Sequence, residues 1–95
     1  MRTKLTDDQL RAALETLSGW SCEGEAITRT FTFERFADGI AFVDRIAVEA
    51  DQMDHHPDID IRYTKIRVAL STHDRGGVTD MDTTLAQRID ALAHR

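Results

Sequence analysis

Two stretches of this chain place apolar side chains at alternating positions, and that alternation limits the possible fold more than any other feature. Between Ala26 and Phe33, Ile27, Phe31 and Phe33 fall on one side while Thr28, Thr30 and Thr32 fall on the other. Further on, Ile59, Ile61 and Tyr63 alternate with Asp58, Asp60 and Arg62. After a tight bend at Thr64, Ile66, Val68 and Leu70 alternate with Lys65, Arg67 and Ala69. Successive strand residues point to opposite faces, so both stretches predict strands with one apolar and one polar face, the second forming an antiparallel hairpin. Trp20 to Cys22 is expected to be a short partner strand, turned by Glu23-Gly24. A one-sided sheet of this kind needs helices over its apolar face.

Three helical segments are available to cover it. Thr6 with Gln9 three residues on is a capping-box arrangement, and Leu5 and Leu10 occupy the two positions of a hydrophobic staple. Leu10, Ala13, Leu14 and Leu17 then line one face, and Gly19 can take the left-handed conformation that ends a helix. From about Glu34 to His55 the period is helical again, with Phe36, Ile40, Val43, Ala47 and Ala50 on one stripe and Phe42, Ile46 and Met53 in a second apolar row. So wide an apolar surface on one helix of a small chain implies that part of it meets another subunit. Pro57 stops helical continuation. A last helix is predicted from about Thr79, with Met81, Leu85, Ile89 and Leu92 buried. His94, near its end, is read as a cation favourable to a helix C-terminus. The expected fold is therefore α+β, in the order α-β-β-α-β-β-α, a four-stranded antiparallel sheet with three helices packed on one face. Residues 1–95 are expected to form one domain, since 95 residues suffice for a single core.

Composition narrows the function. Twelve Lys and Arg against 17 Asp and Glu give a formal charge of -5, which repels phosphate backbones and argues against nucleic acid as a partner. No stretch approaches the roughly 20 apolar residues of a membrane span, and the opening MRTKLTDDQL lacks the apolar segment of a signal peptide, so a cytoplasmic location with no membrane partner is expected. Cys22 is the only cysteine; it is read as a small buried or half-buried apolar residue without a catalytic role.

Chemistry concentrates in the histidines. His55-His56 stand at the end of the long helix and His73 at the end of the last strand, positions from which a scaffold presents side chains to a cleft. Asp51, four residues before His55, would share its face on a continuing helix and orient or charge-stabilise that ring. Imidazoles titrate close to neutrality, so one can donate a proton while another accepts one, which suits an elimination of water. The same residues admit a plainer reading, in which His-His before a proline bonds the last free helix carbonyls and His73 is an exposed hairpin end. A metal site from His55, His56, Asp58 and His73 is disfavoured, because adjacent helical histidines diverge by about 100° and no HExxH or cysteine pair accompanies them. Thr79-x-x-Asp82 reads as a capping box for the last helix, whether or not Asp82 also faces the site.

Taken together, Asp51-x-x-x-His55-His56-Pro57, then Tyr63, His73 and Asp82, with five, nine and eight residues between Pro57, Tyr63, His73 and Asp82, resemble the signature of the pterin-4a-carbinolamine dehydratases. The run Leu70-Ser71-Thr72-His73-Asp74, followed by Gly76-Gly77-Val78-Thr79, is similar to that family's loop into its final helix, and Leu5-Thr6 and Gly19-Trp20 fit as well. The resemblance implies dehydration of 4a-hydroxytetrahydropterin to quinonoid dihydropterin in tetrahydropterin recycling, with the pterin as substrate and no cofactor or metal. By position it implies His55 and His73 as the acid/base pair supported by Asp51, and His56, Asp82, Ser71, Thr72 and Pro57 as substrate-binding residues. Asp51 stands where the family often has Glu, with a shorter reach. Ile59 stands where the family frequently has an aromatic residue, so ring stacking from that place is lost. Tyr63 also reads as a core residue of an alternating strand. The resemblance further implies a homodimer or homotetramer. A reading of another class is a protein-interaction module that meets a partner or acts as a coactivator through the Phe42, Ile46 and Met53 row of its long helix.

Overall fold

The computed structural model describes residues 3–93; the expectation for His94 lies outside them. Helix α1 (Asp7–Thr16) starts at Thr6, whose hydroxyl accepts the Gln9 amide while the Gln9 side chain accepts the Thr6 amide, so two amides that a helix start leaves free are satisfied reciprocally. Strands β1 (Ser21–Glu23) and β2 (Ala26–Thr32), helix α2 (Phe36–Met53), strands β3 (Asp58–Arg62) and β4 (Lys65–Leu70), and helix α3 (Asp80–Ala93) complete the α-β-β-α-β-β-α order. A single turn of 3-10 helix, His73–Arg75, sits between β4 and α3.

All strand pairs are antiparallel, in the order β1-β2-β4-β3. The register sets Ile27 opposite Leu70, Phe31 opposite Ile66 and Ile59 opposite Val68, gathering the alternating apolar residues on one face. That face and the helices share one cluster, in which Leu17, Phe42, Ile46, Leu85, Ile89 and Leu92 are buried and Leu10 and Leu14 pack against its margin. Gly39 lets α2 lie close to the sheet, since a β-carbon there would meet the Ile66 side chain at 3.2 Å.

Arg29 occupies a place on the apolar face, opposite Val68, without leaving a bare charge. Its guanidinium lies 4.5 Å from the Phe31 ring centroid and donates to Asp90 at 2.8 Å; the Trp20 indole donates to the same carboxylate at 2.9 Å. Gly19, at φ 93°, brings the chain past this group where a β-carbon would meet Arg29 Nε at 2.8 Å. On the opposite face Thr28 and Arg67 both donate to Glu23, and these bonds, that from Thr28 first, hold its carboxyl below the usual glutamate range.

Three expectations are corrected here. The Phe42 and Ile46 row of α2 faces the core with no exposure, and Met53 packs half-buried against it, whereas Phe36 and Ala47 of the first stripe are exposed. With apolar residues on most of its circumference, the helix does not itself declare its inner side; packing on Ile66 and Phe33 decides it. Tyr63 is no core residue, because the hairpin turns one residue earlier than the alternation suggests: Arg62 pairs with Lys65, and Tyr63 sits in the turn at φ 53°, 73% exposed. Cys22 is exposed on the edge strand β1. Among the described residues, no helix is long and apolar enough to cross a membrane.

Candidate active site

The C-terminus of α2 determines where the histidines go. Asp54 adopts a left-handed conformation (φ 48°, ψ 45°), its amide donates to the Asp51 carbonyl, and the His55 amide reaches back to the Ala50 carbonyl at 3.1 Å. This is the Schellman closure, here with Asp where Gly is usual. The helix therefore ends two residues before His55, and the helical geometry that would have set Asp51 beside His55 does not apply. Asp51 Oδ1 instead lies 2.8 Å from His56 Nε2, within hydrogen-bond distance, and both side chains are mostly solvent-exposed. The partner of His55 is Asp82, with Nε2 and Oδ1 2.5 Å apart.

Asp82 is fully buried at the start of α3. It lies three residues after Thr79, and its Oδ2 accepts the Thr79 amide at 2.9 Å while the Thr79 hydroxyl accepts the Met81 amide at 3.2 Å. Half of the capping box is therefore present: the Asp82 side chain returns to the Thr79 amide, whereas the Thr79 hydroxyl takes the Met81 amide and the Asp82 amide goes to the Thr79 carbonyl. The same carboxylate reaches His55 through its other oxygen, so the two readings of Asp82 coexist in one side chain.

His73 is delivered by a different device. After β4 the chain makes a loop closed by the Thr72–Gly77 bridge, with the Thr72 amide donating to the Gly77 carbonyl at 2.9 Å and Gly76 at φ 75° completing the turn. His73 is exposed at its tip, and its ring makes no hydrogen bond to any described residue.

These two devices open onto one cleft of about 330 Å³, lined by Asp54, His55, His56, Ser71, Thr72, His73 and Asp74. That volume is at the small end of ligand pockets and suits a fused bicyclic heterocycle. Of the residues singled out from the sequence, His55, His56, His73, Ser71 and Thr72 line it. Asp82 stands behind His55, while Asp51 and Pro57 are not among the lining residues. The hydroxyls of Ser71 and Thr72 are already committed, Ser71 to the Glu25 carbonyl at 2.7 Å and Thr72 to Asp82 at 2.9 Å. Their contribution to the wall is thus backbone and apolar surface more than free hydroxyls. Asp54 and Asp74, which sequence reasoning passed over, add two carboxylates to the rim; the helix terminator and the loop have no periodicity that would have flagged them. Among the described residues, no three His, Cys, Asp or Glu side chains are grouped to hold a metal ion.

Arranged this way, the cleft presents one imidazole backed by a buried carboxylate, one paired with a surface carboxylate and one unpaired, which is equipment for moving protons to and from a bound molecule. Residues 3–92 match the family model described as pterin 4 alpha carbinolamine dehydratase. A protein of Mycobacteroides abscessus provisionally named pterin-4-alpha-carbinolamine dehydratase is 55% identical over 91 residues, covering 96% of this chain and 97% of that one. One of Sulfurisphaera tokodaii, named likewise, is 45% identical over 89 residues, covering 94% and 96%. Among solved structures, the transcriptional coactivator/pterin dehydratase from Brucella melitensis superimposes with a TM-score of 0.93 at 36% identity, covering 96% of this chain and 99% of that one. A pterin dehydratase-like protein identified as a RuBisCO assembly factor in the alpha-carboxysome superimposes with a TM-score of 0.64 at 25% identity, covering 78% and 86%.

Proposed function

The chain belongs to the pterin 4 alpha carbinolamine dehydratase family, and from that premise we propose that it dehydrates 4a-hydroxytetrahydropterin to quinonoid dihydropterin in the cytoplasm, as a step of tetrahydropterin recycling. The observation that carries this reading is the convergence of His55, His56 and His73 on one cleft of pterin size. In the reaction the C4a–O bond breaks as a protonated imidazole gives its proton to the departing hydroxyl, forming water. A neutral imidazole takes the proton from the adjacent ring nitrogen, and the electron pair of that N–H bond becomes the new C=N bond. The site loses one proton and gains one, so exchange between the rings or with solvent resets it. His55 and His73 form this acid/base pair, and no cofactor or metal is required.

His56, held by Asp51 at the rim, grips the pterin without exchanging a proton with it. His56→Ala is accordingly expected to raise KM about tenfold with kcat within about twofold of wild type, as for an interaction equal in ground and transition states; a fall in kcat of equal size would make His56 a participant in the chemistry. The reading itself is tested by adding the protein to freshly generated 4a-hydroxytetrahydropterin and following the ultraviolet change. No acceleration at neutral pH would reject it.

The exposed side of α2 favours a second, compatible proposal, that the chain assembles with copies of itself. Phe36 is 49% and Val48 55% exposed, and the half-buried Ile40 and Val43 share the helix with them. Large apolar side chains gathered on one helix are more often covered than left in water, and assembly adds apolar burial to a small core. Val48→Glu should lower the mass measured by light scattering at micromolar concentration while leaving the circular dichroism of the folded chain unchanged, with the unfolding midpoint lowered by no more than the lost assembly contributes. A wild-type chain already monomeric under those conditions would leave that face to a different protein, the kind of role that the coactivator and assembly-factor names of the two structural relatives describe for those proteins.

A further inference from the structure

Resting on the dehydratase reading, we propose that Thr72 and Thr79 are positioning residues that fix the tautomer of His55, so that Nδ1, and not Nε2, is the nitrogen that exchanges a proton with the pterin. The inference follows from counting donors around a buried carboxylate. Thr72, Thr79 and Asp82 are 8%, 0% and 0% exposed, so water cannot complete their hydrogen bonding cheaply. Asp82 Oδ2 accepts from the Thr72 hydroxyl and from the Thr79 amide, each at 2.9 Å. A hydroxyl has one hydrogen, and that of Thr72 is spent on Asp82. The 2.8 Å contact between the Thr72 and Thr79 hydroxyls must then use the hydrogen of Thr79. Thr79 is free to give it, because its oxygen takes its own second bond as an acceptor from the Met81 amide. The chain of donors thus runs one way, from the Met81 amide through Thr79 and Thr72 to Asp82.

With two donors converging on Oδ2, the group behaves as an ionised carboxylate, which only accepts. The hydrogen between Oδ1 and His55 Nε2 therefore belongs to the ring. A neutral imidazole carries one N–H, so Nδ1 is left with its lone pair. Among the described residues Nδ1 has no hydrogen-bond partner, and it is not among the buried unsatisfied atoms, so it is the ring nitrogen left accessible on a residue that lines the cleft. If Thr72 loses its hydroxyl, Oδ2 loses a donor and Thr79 can turn its hydrogen elsewhere. The carboxylate can then rotate or take up a proton, and either change lets the ring flip or exchange tautomers.

The test combines nitrogen NMR of the imidazoles in ligand-free protein, with His55 assigned through a His55→Gln variant, and kinetics of dehydration. The wild type should show His55 protonated at Nε2 near neutral pH and above. Thr72→Val, which keeps shape and removes the hydroxyl, should give a mixture of tautomers and lower kcat about tenfold with KM little changed. Thr72→Ser, which restores the hydroxyl, should recover both the tautomer and most of kcat. A wild-type His55 carrying its hydrogen on Nδ1 would overturn the proposal, and that measurement needs no variant to fold. A Thr72→Val protein with the wild-type tautomer and rate would overturn it too. A wild type that shows the Nε2–H ring but never accelerates dehydration would instead overturn the dehydratase reading and leave the relay standing.

Discussion

Replacing His73 with alanine is expected to lower kcat for dehydration roughly 10²–10⁴-fold, the range for removing a positioned general acid or base, without moving the thermal unfolding midpoint. Both halves come from the loop that carries it. The ring is exposed and bonds to no described residue, so its removal opens no cavity and strands no buried partner. The bridge between Thr72 and Gly77 is made by backbone atoms and survives the substitution. His73→Ala is for this reason a cleaner probe than His55→Ala, which would leave the buried Asp82 without its imidazole and confound rate with stability. Rapid mixing at saturating substrate, with calorimetry on the same samples, checks it; a kcat within about threefold of wild type would take His73 out of the proton transfers.

Phe42→Ala is expected to destabilise the chain by about 3–5 kcal/mol, a large part of the roughly 5–15 kcal/mol that holds a domain of this size folded. Phe42 is wholly buried, with ring centroids 4.8 Å from Phe31 and 5.1 Å from Phe33, so it joins α2 to the end of β2. The neighbouring Ile46→Glu places a charge where there is no exposure, and should abolish folding outright. Were that row an interface between copies instead, the same substitution would dissociate an assembly and spare the fold, which makes it a sharp discriminator. Urea unfolding of Phe42→Ala and the solubility and circular dichroism of Ile46→Glu decide the matter. A folded Ile46→Glu protein of reduced mass would return that row to an interface.

What could be read without coordinates, and what could not, follows the range of the interactions involved. Alternation at Ile27, Phe31, Ile66, Val68 and Leu70 is a local signal with a fixed period, and it specified the sheet and its buried face. The capping box at Thr6 and Gln9 spans three residues and was equally legible. The inner side of α2 at Phe42 and Ile46 is not legible in the sequence because both flanks of the helix are apolar, and only contact with the sheet distinguishes them. Asp51 meets His56 rather than His55 because the helix terminates on Asp54, a residue that carries no strong stop signal, and the closure turns His55 off the helical face. The bond from His55 to Asp82 joins residues 27 apart, which no period can announce. The histidine positions themselves were legible because they sit where the periodic segments end.

The carboxylate of Asp82 also ties the chemistry to the first turn of α3. Because one side chain both anchors the opening amide of that helix and steadies the His55 ring, fraying of the turn and loss of ring alignment become a single event. Hydrogen exchange at the Thr79 amide would then report how often the site is disassembled. Conditions that speed that exchange while the sheet stays protected would be expected to silence turnover before the protein melts.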